Sequence, residues 1–216
     1  LARKLTGYDM GDVLLYVGEN LSYDNEKIFV KPASELTEYV GDPLSVVCAV
    51  NENAITRPET HGIKDEEFIR GKAPMTKEEV RTVSLSKLCL AQDSICYDVG
   101  AGTGSLSIEM ALRAHQGKVW AIEKKEDAVE LIRLNKAKFA ADNLEIVEGL
   151  APEALTELPV PTHAFIGGSS GNLKEIVKLL IEKNPQVRIV INCITLETVS
   201  EALETAKEFG FEENEI

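Results

Sequence analysis

From residue 76 onward the apolar positions follow two alternating rhythms. Short runs rich in β-branched and aromatic residues, Ile95 to Val99, Val119 to Ile122, Leu144 to Val147, Ala164 to Ile166 and Val187 to Ile191, have the length and composition of buried strands. Between them apolar residues recur at helical spacing. Val80, Val83, Leu85, Leu88 and Leu90 mark the first such segment, and Leu106, Ile108, Met110, Ala111 and Leu112 the second. A third helix is predicted from about Lys125 to Ala140, a short one near Glu153, and another from about Leu196 to Phe209. The helix predicted over Asn172 to Lys183 puts Leu173, Ile176, Val177, Leu180 and Ile181 on one stripe, as packing against a sheet requires. Thr76-Lys77-Glu78-Glu79 fits a capping box, in which hydroxyl and carboxylate satisfy the free N–H groups of a helix start. Such alternation predicts an α/β fold, a doubly wound and mostly parallel sheet with helices on both faces, whose ligands sit outside the carboxyl ends of the strands.

The first fifty residues read differently. Val13 to Val17, Lys27 to Val30 and Leu44 to Val50 are short β-type runs separated by Gly, Asn and Asp, a small α+β piece with too few elements to close a sheet alone. Residues 51–73 carry Arg57-Pro58, His61-Gly62 and a charge-rich stretch from Lys64 to Lys72 without sustained periodicity, and are read as a linker or active-site flap. The expected division is therefore 1–50, 51–73 and 74–216.

Composition narrows the function classes. Of 216 residues, 44% are hydrophobic and 27% charged, which is ordinary globular composition and excludes disorder as the main state. Lys and Arg number 23 against 36 Asp and Glu, a formal charge of −13 that opposes extended nucleic-acid binding. There is no apolar run of bilayer-spanning length and no signal-type core after Leu1-Ala2-Arg3-Lys4, so no membrane role and a cytoplasmic location are expected. Because the chain opens on Leu1, it is read as a piece of a longer protein. Cys48, Cys89, Cys96 and Cys193 lack the close pairing of zinc or redox sites, and are read as reduced, mostly buried thiols with no metal.

The chemistry is expected in the loops that follow the strands. Asp98-Val99-Gly100-Ala101-Gly102-Thr103-Gly104-Ser105 places glycine at every second position, which permits a tight turn and close backbone approach to a ligand. Ser105 stands where the third Gly of a dinucleotide fingerprint would fall, and no P-loop Lys follows. The spacing, with an acidic residue two positions before the first Gly, looks like motif I of the class I S-adenosylmethionine methyltransferases. Glu123, at the end of the second strand, can accept hydrogen bonds from both hydroxyls of a ribose, a feature common to NAD and S-adenosylmethionine. In Glu148-Gly149-Leu150-Ala151-Pro152-Glu153 the Leu150 side chain cannot hydrogen-bond to an adenine, which leaves the Ala151 N–H for that task. Gly167-Gly168-Ser169-Ser170-Gly171-Asn172-Leu173 opens a long helix with small residues, suited either to an anion such as a carboxylate or to plain capping.

Taken together, Pro74-Met75-Thr76-Lys77, Asp98 to Gly104, Glu148-Gly149-x-Ala151-Pro152-Glu153-Ala154-Leu155, Phe165 to Gly171 and Thr195-Leu196-Glu197-Thr198 resemble the precorrin-6Y C5,15-methyltransferases (decarboxylating) of cobalamin biosynthesis, in particular their C-terminal, C15-methylating domain. Residues 1–50, with Val17-Gly18-Glu19-Asn20-Leu21-Ser22-Tyr23, look like the last part of the C5-methylating tetrapyrrole methylase domain that precedes it. The resemblance implies a Rossmann-like class I methyltransferase fold, with the family's last strands lying beyond Ile216. It implies S-adenosylmethionine as methyl donor, with S-adenosylhomocysteine as product, and a precorrin that loses an acetate carboxyl as it is methylated. By position the cofactor residues would be Thr76, Gly100, Ala101, Gly102, Thr103, Gly104, Glu123 and Ala151. The substrate side would comprise Gly168, Ser169, Ser170 and Gly171, with Arg57 and Lys72 among the connector cations Lys64, Arg70, Lys77 and Arg81. Ser169, Ser170, Thr195 and Glu197 are the candidates for catalysis. The expected partner is a small tetrapyrrole, without nucleic acid or membrane, in a homo-oligomer. Two other readings stay open at this point: a methyltransferase for another substrate such as RNA, and a catalytically incomplete S-adenosylmethionine-binding module.

Overall fold

The computed structural model describes residues 1–8, 10–54 and 61–211. It divides into two compact units, residues 1–56 and 57–216. In the first, helix α1 (Ala2–Gly7) precedes strands β1 (Leu14–Glu19) and β2 (Lys27–Pro32), a 3-10 turn (Ala33–Leu36) and β3 (Ser45–Val50). The strands form an antiparallel sheet in the order β2-β1-β3, with Tyr16 facing Val30 on one side and Cys48 on the other. Alternation decides the faces. Val13, Leu15 and Val17 turn inward onto Ala33 and Leu36, while Tyr16 is exposed. Helix α1 has no counterpart in the sequence pattern, being short and without a fully buried residue.

The second unit is a parallel sheet of β4 (Ile95–Val99), β5 (Lys118–Glu123), β6 (Leu144–Glu148), β7 (His163–Ile166) and β8 (Arg188–Ile191), in the order β6-β5-β4-β7-β8. The chain winds outward from β4 to one edge and then returns to build the other, so a crevice opens at the carboxyl ends where the winding reverses. Helices α2 (Glu78–Leu88), α3 (Ser105–Arg113), α4 (Glu126–Lys138), α5 (Leu173–Lys183) and α6 (Leu196–Glu208) cover the sheet. Strand alternation again sorts the two faces. Cys96, Val119, Ala121 and Phe165 join Leu85, Leu88, Leu106, Ile108, Met110 and Ile132 in one core. Tyr97, Val99, Trp120, Ile122, Ala164 and Ile166 pack with Leu173, Ile176, Val177 and Leu180 in the other. The stripe predicted on α5 is thus the buried face of that helix.

Three expectations are corrected. The capping box at Thr76 does not form: the N-cap of α2 is Lys77, with no side-chain cap, and the Glu78 N–H donates to Asp65 Oδ1 at 3.1 Å. Asp65 therefore does from a distance what Thr76 was expected to do locally. The inward face of α2 is Arg81, Ser84, Leu85 and Leu88, while Val80 and Val83 are exposed. The thiols are not mostly buried: Cys96 is, but Cys48 lies on the open edge strand β3 and Cys89 at the exposed end of α2. The connector also supplies core, since Ile63 and Phe68 are buried and the Phe68 and Phe139 rings pack 4.9 Å apart. Its 3-10 turn, Asp65–Glu67, places Asp65 against Arg81. Among the described residues no helix is long and apolar enough to cross a membrane.

Candidate functional site

All five strand ends contribute to a cleft of about 410 Å³. It is lined by Val99 to Gly102 after β4, by Ile122 to Lys125 after β5, and by Gly149 to Ala151 after β6. Gly167 to Ser170 follow β7, Asn192 and Ile194 follow β8, and Pro74 to Lys77 with Val80 close the remaining side.

The glycine loop is built by close approach. Gly100, at φ +76, leaves no room for a side chain, because a Cβ would lie 2.8 Å from the backbone N and O of Gly168. Gly102, at φ +57, would drive a Cβ into the Pro74 carbonyl. Both positions need glycine for conformation and for space. Every N–H of this loop is turned toward protein. Gly100 and Ala101 donate to the Ile122 carbonyl at 3.0 and 3.1 Å, Gly102 to Glu123 Oε2 at 3.0 Å, Thr103 to the Pro74 carbonyl at 3.3 Å, and Gly104 to the Ala101 carbonyl at 2.9 Å. A pyrophosphate cradle needs those groups aimed at the ligand. This loop has the shape of a nucleotide-binding turn without the phosphate donors.

Glu123 is nearly buried and holds the site together. Its Oε1 accepts from the Lys124 and Lys125 N–H groups at 2.9 and 3.0 Å, and Oε2 from Gly102. A carboxylate has about four acceptor sites, so these bonds leave capacity for a ligand hydroxyl. Behind the loop, Asp98 is buried and accepts from the Ser107 hydroxyl. Burial is the main reason its carboxyl is pushed up to about 6, with the nearby Glu123 charge adding to the rise and the Ser107 hydrogen bonds opposing it. Ala151 is buried at the cleft wall, where its carbonyl accepts from Asn172 Nδ2 at 3.0 Å. Its N–H meets no protein acceptor among the described residues. Asn172, the residue before α5, thus ties two loops together and makes no side-chain cap.

The near rim is fixed from below by a buried ion network. Arg81, fully buried, donates through Nε to Glu109 Oε1 at 2.8 Å and through Nη1 to Asp65 Oδ1 at 2.7 Å and the Thr76 carbonyl at 2.5 Å, with Nη2 on the Ile63 carbonyl. Glu109 in turn accepts from the Gly62 N–H at 2.7 Å. The guanidinium also lies 4.7 Å from the centre of the Phe68 ring. Three charges are satisfied in one place, and the loop segment carrying Thr76 is tied through Arg81 to Glu109 of α3.

Of the residues expected from the sequence, Thr76, Gly100, Ala101, Gly102, Glu123, Ala151, Gly168, Ser169 and Ser170 meet at the cleft. Thr103, Gly104 and Gly171 do not line it; Thr103 is buried behind the loop and Gly104 is the N-cap of α3. Thr195 and Glu197 are also outside the lining. Thr195 is the N-cap of α6 in a reciprocal box with Thr198, and hydrogen bonds from its own backbone N–H and from Thr195 hold the Glu197 carboxyl below the ordinary range. Lys72 is exposed away from the cleft, and Arg57 lies outside the described residues. Arg81 is unavailable to any ligand. The lining adds Lys124, Lys125, Asn192 and Ile194, which follow directly on predicted strands and so were findable from position alone.

A family model described as a precorrin methyltransferase domain matches residues 67–215. A protein of Sulfurisphaera tokodaii, named probable cobalt-precorrin-6B C(15)-methyltransferase (decarboxylating), is 47% identical over 69% of this chain and 80% of its own length. Among solved structures, precorrin-6y C5,15-methyltransferase of Geobacter metallireducens superposes with a TM-score of 0.68 at 41% identity, covering 72% of this chain and 83% of that one. The precorrin 8W decarboxylase of Methanobacterium thermoautotrophicum gives 0.67 at 36% identity, over 70% and 83%. With the match spanning the whole sheet and every loop of the cleft, the chain belongs to the precorrin methyltransferase family.

Proposed function

We propose that the chain is an S-adenosylmethionine-dependent C-methyltransferase of corrin biosynthesis, which methylates C15 of a precorrin-6 ring and releases the carboxyl of one acetate arm as carbon dioxide. The observation that carries the choice of cofactor is the inward-turned glycine loop. A nucleoside ligand fits a cleft with one ribose-binding carboxylate, Glu123, and one open N–H at the adenine end, Ala151, whereas a dinucleotide would need the phosphate donors that this loop has turned onto the carbonyls of Ile122, Pro74 and Ala101 and the carboxylate of Glu123. Gly100, Ala101, Gly102 and Thr76 would flank the bound cofactor, and the apolar side chains of Met75 and Leu150 would cover it. When bound, S-adenosylmethionine supplies an electrophilic methyl group on a sulfonium.

The residues of the cleft act mainly by alignment. An enamine-like ring carbon is already nucleophilic, and holding it in line with the methyl group converts an encounter into an intramolecular step. Glu123 and three lysines are the charged residues of the lining, with no His, Cys or Asp among them. That inventory suits positioning better than strong base catalysis. In decarboxylation the C–C bond electrons pass into the conjugated ring and are then used to bind one proton at the remaining methylene, while the methylated carbon gives up one. Excluding water from the departing carboxylate promotes the step. In the same reading residues 1–50 are the tail of a C5-methylating domain, and the protein works in the cytoplasm as a homo-oligomer.

The test is transfer of labelled methyl from S-adenosylmethionine to a precorrin-6 pool with matching release of carbon dioxide. Calorimetry should show binding of S-adenosylhomocysteine and none of NAD. The reverse pattern in calorimetry would overturn the cofactor, and methylation without carbon dioxide would overturn the reaction.

A further inference from the structure

We infer that Lys124 is a substrate-binding residue which receives a carboxylate that the tetrapyrrole keeps, at a subsite bridging the loops after β5 and β7. The inference rests on the substrate class proposed above and adds a residue that the glycine and serine motifs do not identify. Lys124 Nζ lies 2.9 Å from Ser170 Oγ. The two residues come from strands on opposite sides of β4, so the contact crosses roughly 10 Å of sheet, two strand spacings, over the carboxyl end of the central strand. The stem of the lysine starts from a fixed point, because the N–H groups of Lys124 and Lys125 both bind Glu123 Oε1. The ammonium has no carboxylate within ion-pair distance among the described residues, in contrast to Lys77, which pairs with Asp65 at 3.1 Å. Against a formal charge of −13, the cleft lining holds three lysines and one carboxylate, Glu123. An exposed ammonium resting on a neutral hydroxyl loses little when it exchanges that partner for a carboxylate, and the new bond is charge-assisted on both sides.

The retained arm is the one that fits this subsite. An ion pair with the departing carboxylate would stabilise the ground state more than the transition state, where the charge is leaving into the ring, and would slow the reaction. Lys124 therefore orients the macrocycle through a spectator arm.

The experiment compares the full chain with Lys124→Met and Lys124→Arg, using uroporphyrin as a tetrapyrrole polyacid, its methyl ester as the uncharged counterpart, and S-adenosylhomocysteine as the internal control. Lys124→Met should weaken uroporphyrin binding by about tenfold or more, the scale of a lost charge-assisted bond. Lys124→Arg should restore most of it, and S-adenosylhomocysteine and ester binding should change by less than about twofold, well under the effect of a lost hydrogen bond to a charged group. In turnover, KM should rise while the ratio of methyl transferred to carbon dioxide released stays fixed. Uroporphyrin binding that survives Lys124→Met overturns this assignment and leaves the proposed function standing, as does an equal loss for acid and ester. A changed methyl-to-carbon dioxide ratio overturns the spectator role. Failure of the unsubstituted chain to bind uroporphyrin overturns the substrate class and the assignment with it.

Discussion

At the scale of single residues, the cleft is governed by two carboxylates with opposite tasks. Glu123 is a nearly buried acceptor at the cleft wall already holding three N–H groups, and Asp98 is a buried acceptor beneath the same loop. Glu123→Ala should weaken S-adenosylhomocysteine by about 1–3 kcal/mol in calorimetry, through lost bonds to a charged group. Unchanged affinity would remove Glu123 from the site. Asp98 speaks through pH. Burial raises its carboxyl to about 6, so between the ordinary aspartate range and that value the folded chain keeps a proton that the unfolded chain has released. Its contribution to stability therefore declines as pH rises across that window and stays low above it. Asp98→Asn removes that slope: the urea midpoint of the variant should gain on the parent as pH goes from about 4 to about 7, and a constant difference would show that Asp98 does not titrate there. Glu123 was legible because it ends a predicted strand after a glycine loop. The inward direction of the loop N–H groups was not, since it depends on where Pro74 and Ile122 place their carbonyls, and the pattern of glycines is the same either way.

At the scale of elements, the parallel sheet and its helices were readable because the strands are short, mostly apolar runs and helices such as α5 carry apolar residues at helical spacing, and both signals depend only on local sequence. What escaped is tied to partners distant in the chain. The start of α2 looked self-capping at Thr76 but is held by Asp65, and the one charge in its buried face, Arg81, looked like a surface cation in a basic flap. Nothing in the spacing of Arg81 shows that Glu109 of α3 waits for it. The consequence is measurable. Arg81→Met leaves Glu109 and Asp65 without their main cation and should cost about 3–5 kcal/mol in denaturant unfolding at an unchanged slope. Pairing it with Glu109→Gln should recover part of that loss, because one of the stranded charges is then gone. Arg81→Lys should fall short of the parent, since an ammonium cannot reproduce bonds to Glu109, Asp65, Thr76 and Ile63 from one planar fork. A variant as stable as the parent would mean that the network contributes little. The same network bonds to the carbonyl of Thr76, a cleft-lining residue, so S-adenosylhomocysteine affinity should fall with stability in Arg81→Met.

At the scale of the whole molecule, charge sets the order of events when a polyacid approaches. With 36 acidic against 23 basic residues, the distant field repels an anion, and only within the cleft do Lys124 and Lys125 outnumber Glu123. The two effects differ in range. The Debye length is about 10 Å at 0.1 M salt and about 30 Å at 0.01 M, so added salt removes the repulsion felt on approach long before it screens an ammonium and carboxylate in contact. The association rate of uroporphyrin, followed by stopped-flow fluorescence, should therefore rise as NaCl goes from about 10 to about 100 mM, the opposite of a protein that steers its ligand in by net charge. In Lys124→Met the rate should keep the same salt dependence while dissociation becomes faster, because the lysine acts after encounter and the net charge acts before it. A rate that falls with salt in the parent and not in the variant would place the lysine in steering, and would mean that the local field at the mouth of the cleft reaches further than the acidic surface around it.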